Sequence, residues 1–181
     1  RVSLPDFDLE GGARADLRQS HRRAIRDGAT FEVLAQGSAE ARSILPALRR
    51  ISDTWLQEKA TAEKGFSVGS FDEAYLCHFP LAVVRREGEP VAFANLWTAA
   101  LDELSVDLMR FSPEAPRSAM DFLFVELMLW GRLRGYRWFD LGMAPLAGLE
   151  QHPLAPSWNR VGRFIYRYGE YFYNFEGLRR Y

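Results

Sequence analysis

The chain has 181 residues, 48% of them hydrophobic and 26% charged, with a formal net charge of −1; this suits one globular domain and excludes a polycation, so any nucleic-acid surface has to be a local patch. The lone Cys77 excludes an internal disulfide and fits a reducing compartment, and the scattered His21, His78 and His152 lack metal-site spacing. No apolar run reaches the length of a membrane span and no signal peptide opens the chain, and its start at Arg1 and stop at Tyr181 read as a piece of something longer.

Residues 11–27 predict an arginine-rich helix with Gly28 as its left-handed terminator. Arg14, Arg18, Arg22 and Arg26 recur once per turn, with Arg23 beside them. Such a stripe suits nucleic-acid phosphates; with Asp16 and Asp27 close by it also reads as an ordinary solvated face. "TFEVLA" (30–35) is a short strand. Ile44, Leu48, Ile51 and Trp55 give residues 39–57 the spacing of an amphipathic helix that tolerates Pro46. "EKGFSVGSF" is a loop and "DEAYLCHF" a short helix.

The period then changes. "LAVVRREGEPVAFANLW" (81–97) reads as two strands about a Glu-Gly-Glu turn, and "ELSVDLMRF" (103–111) as a third strand. "SAMD" has the capping-box pattern, with Ser118 capping and Asp121 reaching back, ahead of a helix running to Arg134 and stopping at Gly135. From Phe122 to Trp130 only Glu126 is polar, so this helix needs an apolar partner on the face turned away from the sheet. "YRWFDLGM" (136–143) is a strand, "PSWNRVGRFIYRYG" a helix with Ser157 as its cap, and "YFYNFEGL" (171–178) a closing strand. The order β-α-α-β-β-β-α-β-α-β predicts an α/β (α+β) fold, a mixed β-sheet flanked by helices.

Asp107 and Arg110 hold the interest. Three residues apart, they face opposite sides of a flat strand, so a joint role requires a bulge or a strand end. A carboxylate and a guanidinium fork suit an ammonium and a phosphodiester respectively; the plain alternative is an internal ion pair fixing the strand end. Asp107 would serve as a general base instead if its pKa were raised. Asp140 ends a strand before the small residues of "LGMAPLAG", which admit a ligand close to the backbone.

The element order is similar to the GNAT acyltransferase fold. In GNAT proteins a glycine-rich loop cradles the acyl-CoA pyrophosphate; here the matching "RFSPEAPRSA" has no glycine and carries Pro113 and Pro116. No CoA and no other cofactor is expected. Within that fold the stretches "EKGFSVGSFD", "VAFANLW", "SVDLMR", "MDFLFVELMLWGRLRGYRWFDLGMAPLAGLE" and "FYNFEGLRRY" closely resemble the C-terminal cytoplasmic domain of the phosphatidylglycerol lysyltransferase family, the multiple peptide resistance factors, alanyl-transferring members included. The resemblance implies residues 1–28 as a connecting basic helix and 29–181 as the second of two tandem GNAT-like units. It implies a preceding first unit and an N-terminal transmembrane region, and a location at the cytoplasmic face of the membrane. The implied reaction is transfer of a lysyl or alanyl group from aminoacyl-tRNA to the headgroup hydroxyl of phosphatidylglycerol, altering membrane surface charge and antimicrobial resistance.

On that resemblance Asp107 and Arg110 are the catalytic pair. Asn174 and Arg179 carry over from the family's closing motif as substrate-binding. Glu63, Lys64 and Ser67, in a loop expected near the hairpin's edge or else a solvated turn, and Asp140 are the other substrate-binding candidates. The stripe Arg14, Arg18, Arg22 and Arg26 is the candidate tRNA contact. A second basic and aromatic run, Arg160, Arg163 and Arg167 with Tyr166 and Tyr168, suits the tRNA acceptor end, the lipid headgroup, or core packing. The competing readings are a tRNA-dependent peptidoglycan-bridge aminoacyltransferase, a CoA-dependent GNAT N-acyltransferase, and a non-catalytic tRNA- or membrane-binding module.

Overall fold

The computed structural model describes residues 1–58, 70–100 and 102–141. The chain divides into two compact units, Arg1–Asp140 and Leu141–Tyr181; the account below is of the first. The helix over 156–169 and the strand over 171–178 lie outside the described residues.

Six strands form one sheet in the order β1-β6-β5-β4-β3-β2: β1 (Val2–Ser3), β2 (Ala29–Leu34), β3 (Leu81–Arg86), β4 (Glu89–Ala99), β5 (Glu103–Phe111) and β6 (Trp138–Asp140). Helices are α1 (Ala15–Arg26), α2 (Ala39–Glu58), α3 (Glu73–Leu76) and α4 (Ala119–Leu133). Every neighbouring pair is antiparallel except β5 and β6, which run parallel across the α4 crossover. This is the mixed GNAT-like sheet expected from the element order. Strand β1 was not expected: two residues carry no period, and only pairing with β6 makes them a strand.

Local chemistry accounts for the element ends. Helix α1 has Asp16 in its first turn and Arg23 and Arg26 in its last, matching the helix dipole. It stops at Gly28, whose φ of 83° is left-handed. Ser38 Oγ accepts the Ala41 N–H at 3.1 Å to start α2. Pro46 lies well inside that helix rather than near its start, and the buried stripe Leu45, Leu48 and Ile51 outweighs the missing backbone bond. The β3–β4 turn places Glu87 and Gly88 at φ 53° and 85°, the twist a two-residue hairpin demands.

The Ser118 half of the capping box at α4 does not form. Ser118 stands at the N-cap, but its hydroxyl makes no cap hydrogen bond. Its φ of −94° and ψ of 10° are not the extended geometry in which a serine side chain reaches the N2 or N3 amide. Only its carbonyl serves the helix, accepting the Phe122 N–H at 2.8 Å.

Helices cover both faces of the sheet. On one, Leu45, Leu48 and Ile51 of α2 pack with Phe71, Leu76, Leu81, Val83, Phe93 and Leu108. On the other, Phe139 meets Phe124 of α4 edge-to-face at 6.0 Å. A Cβ on Gly131 would stand 2.9 Å from Leu4 Cδ1 and 3.0 Å from Leu104 Cδ2, so the missing side chain lets α4 lie close to the sheet. Each fully buried large apolar side chain contributes about 1.5–3 kcal/mol. The outer face of α4 has its partner within the same unit: α1 buries Leu17 and Ala24, and His21 reaches Glu126 at 2.6 Å with its ring 5.2 Å from Phe122. The apolar partner that this face requires is in large part α1.

Candidate functional site

Asp107 and Arg110 lie on the same face of the sheet, and a bulge is the reason. Across β4 and β5 the register runs Ala94 to Met109 and then Leu96 to Val106. Two residues of β5, Asp107 and Leu108, therefore oppose Asn95 alone, and the alternation of side chains slips by one. Before the bulge Leu104 touches the α4 side at Gly131; after it Leu108 packs into the α2 core. Arg110 follows Leu108 onto the α2 side, its guanidinium carbon 4.3 Å above the Trp55 ring. Asn95, fully buried, stabilises the irregularity by accepting the Leu108 N–H at 2.7 Å on its side-chain oxygen.

Asp107 is oriented by neighbours that the sequence did not point to. Tyr75 of α3 donates its hydroxyl to Asp107 Oδ2 at 3.0 Å, and Trp97 Nε1–H donates to the Tyr75 oxygen at 3.2 Å. Asp72 sets Tyr75 in place by accepting its backbone N–H at 2.8 Å as the α3 cap. The Tyr75 phenol is pushed above its ordinary value of 10.0, first by burial and then by the bond to and charge of Asp107; the Trp97 indole and the Asn95 amide pull the other way. The phenol therefore stays protonated near neutrality and keeps donating to the carboxylate.

Arg110 is only 9% exposed. Its Nη1 donates to the Met109 carbonyl at 2.8 Å, and stacking on Trp55 holds the plane of the fork. A cleft of about 340 Å³ opens beside Tyr75, walled by that ring, Phe79, Pro80 and Trp97, with Gln36, His78 and Thr98 as its polar lining.

Asp140 pairs in parallel register with Ser105. Because Phe139 points to α4, alternation turns Asp140 toward the α2 side shared by Asp107. Arg1 Nε donates to it at 3.2 Å, and Arg1 Nη2 also meets Glu103 at 2.9 Å. The arginine stripe divides. Arg14 donates to the Asp8 carbonyl at 2.7 Å and lies 4.7 Å over Phe7, and Arg18 donates to the Leu9 carbonyl at 2.6 Å and to Gly11 at 3.1 Å. These two fasten the preceding segment, while Arg22 and Arg26 are exposed. Helix α1 sits on α4, across the sheet from Asp107. Glu63, Lys64, Ser67, Asn174 and Arg179, with the run Arg160 to Tyr168, lie outside the described residues.

The loop 112–118 makes a poor pyrophosphate cradle. Its Ser112, Glu114 and Ala115 amides, with that of Ala119 just beyond, are spent on Val91 O, Ser112 Oγ, Ser112 O and Pro116 O, and Pro113 and Pro116 have none. Among the described residues no helix is long and apolar enough to cross a membrane.

Two signals for the missed neighbours stood in the sequence. Asn95 is a polar residue inside the apolar run "VAFANLW", which marks a buried group with a hydrogen-bonding duty. The "DEAYL" segment has an evident Asp cap, but nothing in it says which strand Tyr75 meets.

A family model described as phosphatidylglycerol lysyltransferase, C-terminal, matches residues 1–181. Phosphatidylglycerol lysyltransferase of Bacillus subtilis (strain 168) is 41% identical over 181 residues, covering 98% of this chain and 21% of that protein. The protein of the same name from Staphylococcus aureus (strain MRSA252) is 32% identical over 182 residues, covering 99% and 21%. The chain thus spans about a fifth of the length of these curated relatives. Among solved structures, a C-terminal domain assigned to a lysylphosphatidylglycerol synthetase of Agrobacterium fabrum aligns with a TM-score of 0.78 at 44% identity, over 96% of this chain and 51% of that one. The L-PGS structure from Bacillus licheniformis aligns with a TM-score of 0.76 at 40% identity, over 90% and 50%.

Proposed function

Since the chain belongs to the phosphatidylglycerol lysyltransferase C-terminal family, we propose that it carries the acyl-transfer site of a tRNA-dependent aminoacyltransferase acting on phosphatidylglycerol. A headgroup hydroxyl attacks the ester carbonyl of aminoacyl-tRNA. The new lipid ester forms, the ester bond to the tRNA ribose breaks, and the hydroxyl proton ends on the departing ribose oxygen. Asp107, held by Tyr75, anchors the aminoacyl ammonium, and Arg110, flattened on Trp55, receives a phosphate of lipid or tRNA. The names of the curated relatives favour a lysyl group. Its two ammoniums against one phosphodiester turn an anionic lipid into a cationic one.

One observation carries this reading: the β5 bulge turns a carboxylate and a guanidinium onto one face of the sheet. The half-length coverage of the solved relatives supports a second, preceding unit in the parent protein, and the lipid acceptor supports action at the cytoplasmic membrane face. In the parent protein Asp107→Asn and Arg110→Ala are each expected to lower aminoacyl-lipid formation about 10²- to 10³-fold, measured by lipid extraction and mass analysis. Near-normal product from either variant would remove that residue from the mechanism. Product formation without phosphatidylglycerol, on an amine acceptor, would assign the chain to peptidoglycan-bridge chemistry.

A further inference from the structure

We propose that the cleft beside Asp107 seats a nucleobase, the terminal base of the acyl donor; this rests on the reading that the donor is a charged tRNA. Trp97 is a large apolar ring left 47% exposed, and its Nε1–H donates to the Tyr75 hydroxyl at 3.2 Å, which favours one orientation of the ring. An oriented, exposed aromatic face is a stacking platform. Tyr75 and Phe79, whose rings stand 4.8 Å apart at 56°, also line the cleft.

The lining decides which planar or cationic ligand fits. Among the described residues it contains no acidic side chain. That disfavours an ammonium, which needs a carboxylate or an all-aromatic box. Gln36 and Thr98 instead supply an amide and a hydroxyl, the donors and acceptors that read the edge of a base. Tyr75 both walls the cleft and donates to Asp107. A base stacked there lies one phenol ring from the carboxylate, with the adjoining sugar ester on the Asp107 side.

The test uses the full parent protein in phosphatidylglycerol vesicles. Its donors are two short RNA hairpins chemically charged with the same amino acid, one ending in adenosine and one in uridine. The expected result is a KM about tenfold lower for the adenosine donor, because stacking on a purine is the stronger contact, with a similar kcat. Trp97→Leu brings the two KM values together, whereas Trp97→Phe, which keeps a ring, preserves most of the difference. Lipid product at equal KM for both donors on the unaltered protein overturns the cleft assignment and leaves the proposed function standing. No aminoacyl-lipid from either donor overturns both. Competition by butylammonium against the donor, abolished in Trp97→Leu, would make the cleft an ammonium site. The two-donor comparison decides even if Trp97→Leu fails to fold.

Discussion

Tyr75 links the cleft to the carboxylate, and its hydroxyl is a group whose loss can be read in two ways. Tyr75→Phe keeps the ring and removes the bond to Asp107 Oδ2. Turnover is expected to fall about tenfold, because a carboxylate released to other rotamers spends less time in the productive geometry. The pH dependence carries a definite sign. The folded phenol sits above the ordinary 10.0, so the folded state holds this proton more tightly than the unfolded chain. That contribution is fully present below pH 10 and disappears as pH rises through the raised value. Tyr75→Phe is therefore less stable than the native protein by about 1 kcal/mol near neutrality, and the gap narrows in alkali. Urea titrations of both proteins at neutral and alkaline pH check this; a gap that widens in alkali contradicts the hydrogen bond.

The bulge in β5 decides which residues share a surface, and Asn95 holds it. That side-chain oxygen accepts the Leu108 N–H inside the sheet, so removing it takes an acceptor from a buried donor. Asn95→Leu conserves volume approximately and is expected to cost about 1–3 kcal/mol, read as a lower urea midpoint at unchanged slope. Activity should drop further than the folded fraction does, because Asp107 loses its alignment. A variant as stable and active as the native protein would show that the irregularity needs no such support. Helix α4 teaches a related point. Its nearly all-round apolar surface stated a need for two partners, and the sheet and α1 together meet most of it.

Across the whole first unit, Asp107 and Arg110, the proposed catalytic pair, and the exposed arginines occupy opposite sides of the sheet. Arg14 and Arg18 are engaged with residues 7–11, so a phosphate role falls to Arg22 and Arg26. We predict that Arg22→Ala with Arg26→Ala in the parent protein makes tRNA binding less salt-dependent. The slope of log K against log salt should fall by about 0.9 for each phosphate that is no longer neutralised, as read by filter binding at several salt concentrations. An unchanged slope would return the stripe to an ordinary solvated face. Arg18→Ala acts elsewhere, loosening the segment that it ties to α1.

Element types were largely legible from pattern. Hairpin chemistry at Glu87-Gly88, the stop at Gly28 and the periodicity of α2 are all local, and local physics acts within a few residues of chain. Asp107 and Arg110 were legible as a pair needing a bulge, and the register shift in β5 supplies it. The two residues of β1 and the failed cap at Ser118 were not legible, since one depends on a distant strand and the other on the backbone angles packing allows. The tertiary structure alone decided that Asn95 absorbs the extra residue of β5, that Tyr75 and Trp97 orient Asp107, and that α1 spends half its stripe on its own chain. These pairings join residues 6 to 32 positions apart, and the free energy that selects them comes from burial and hydrogen-bond satisfaction in three dimensions, which no local pattern encodes.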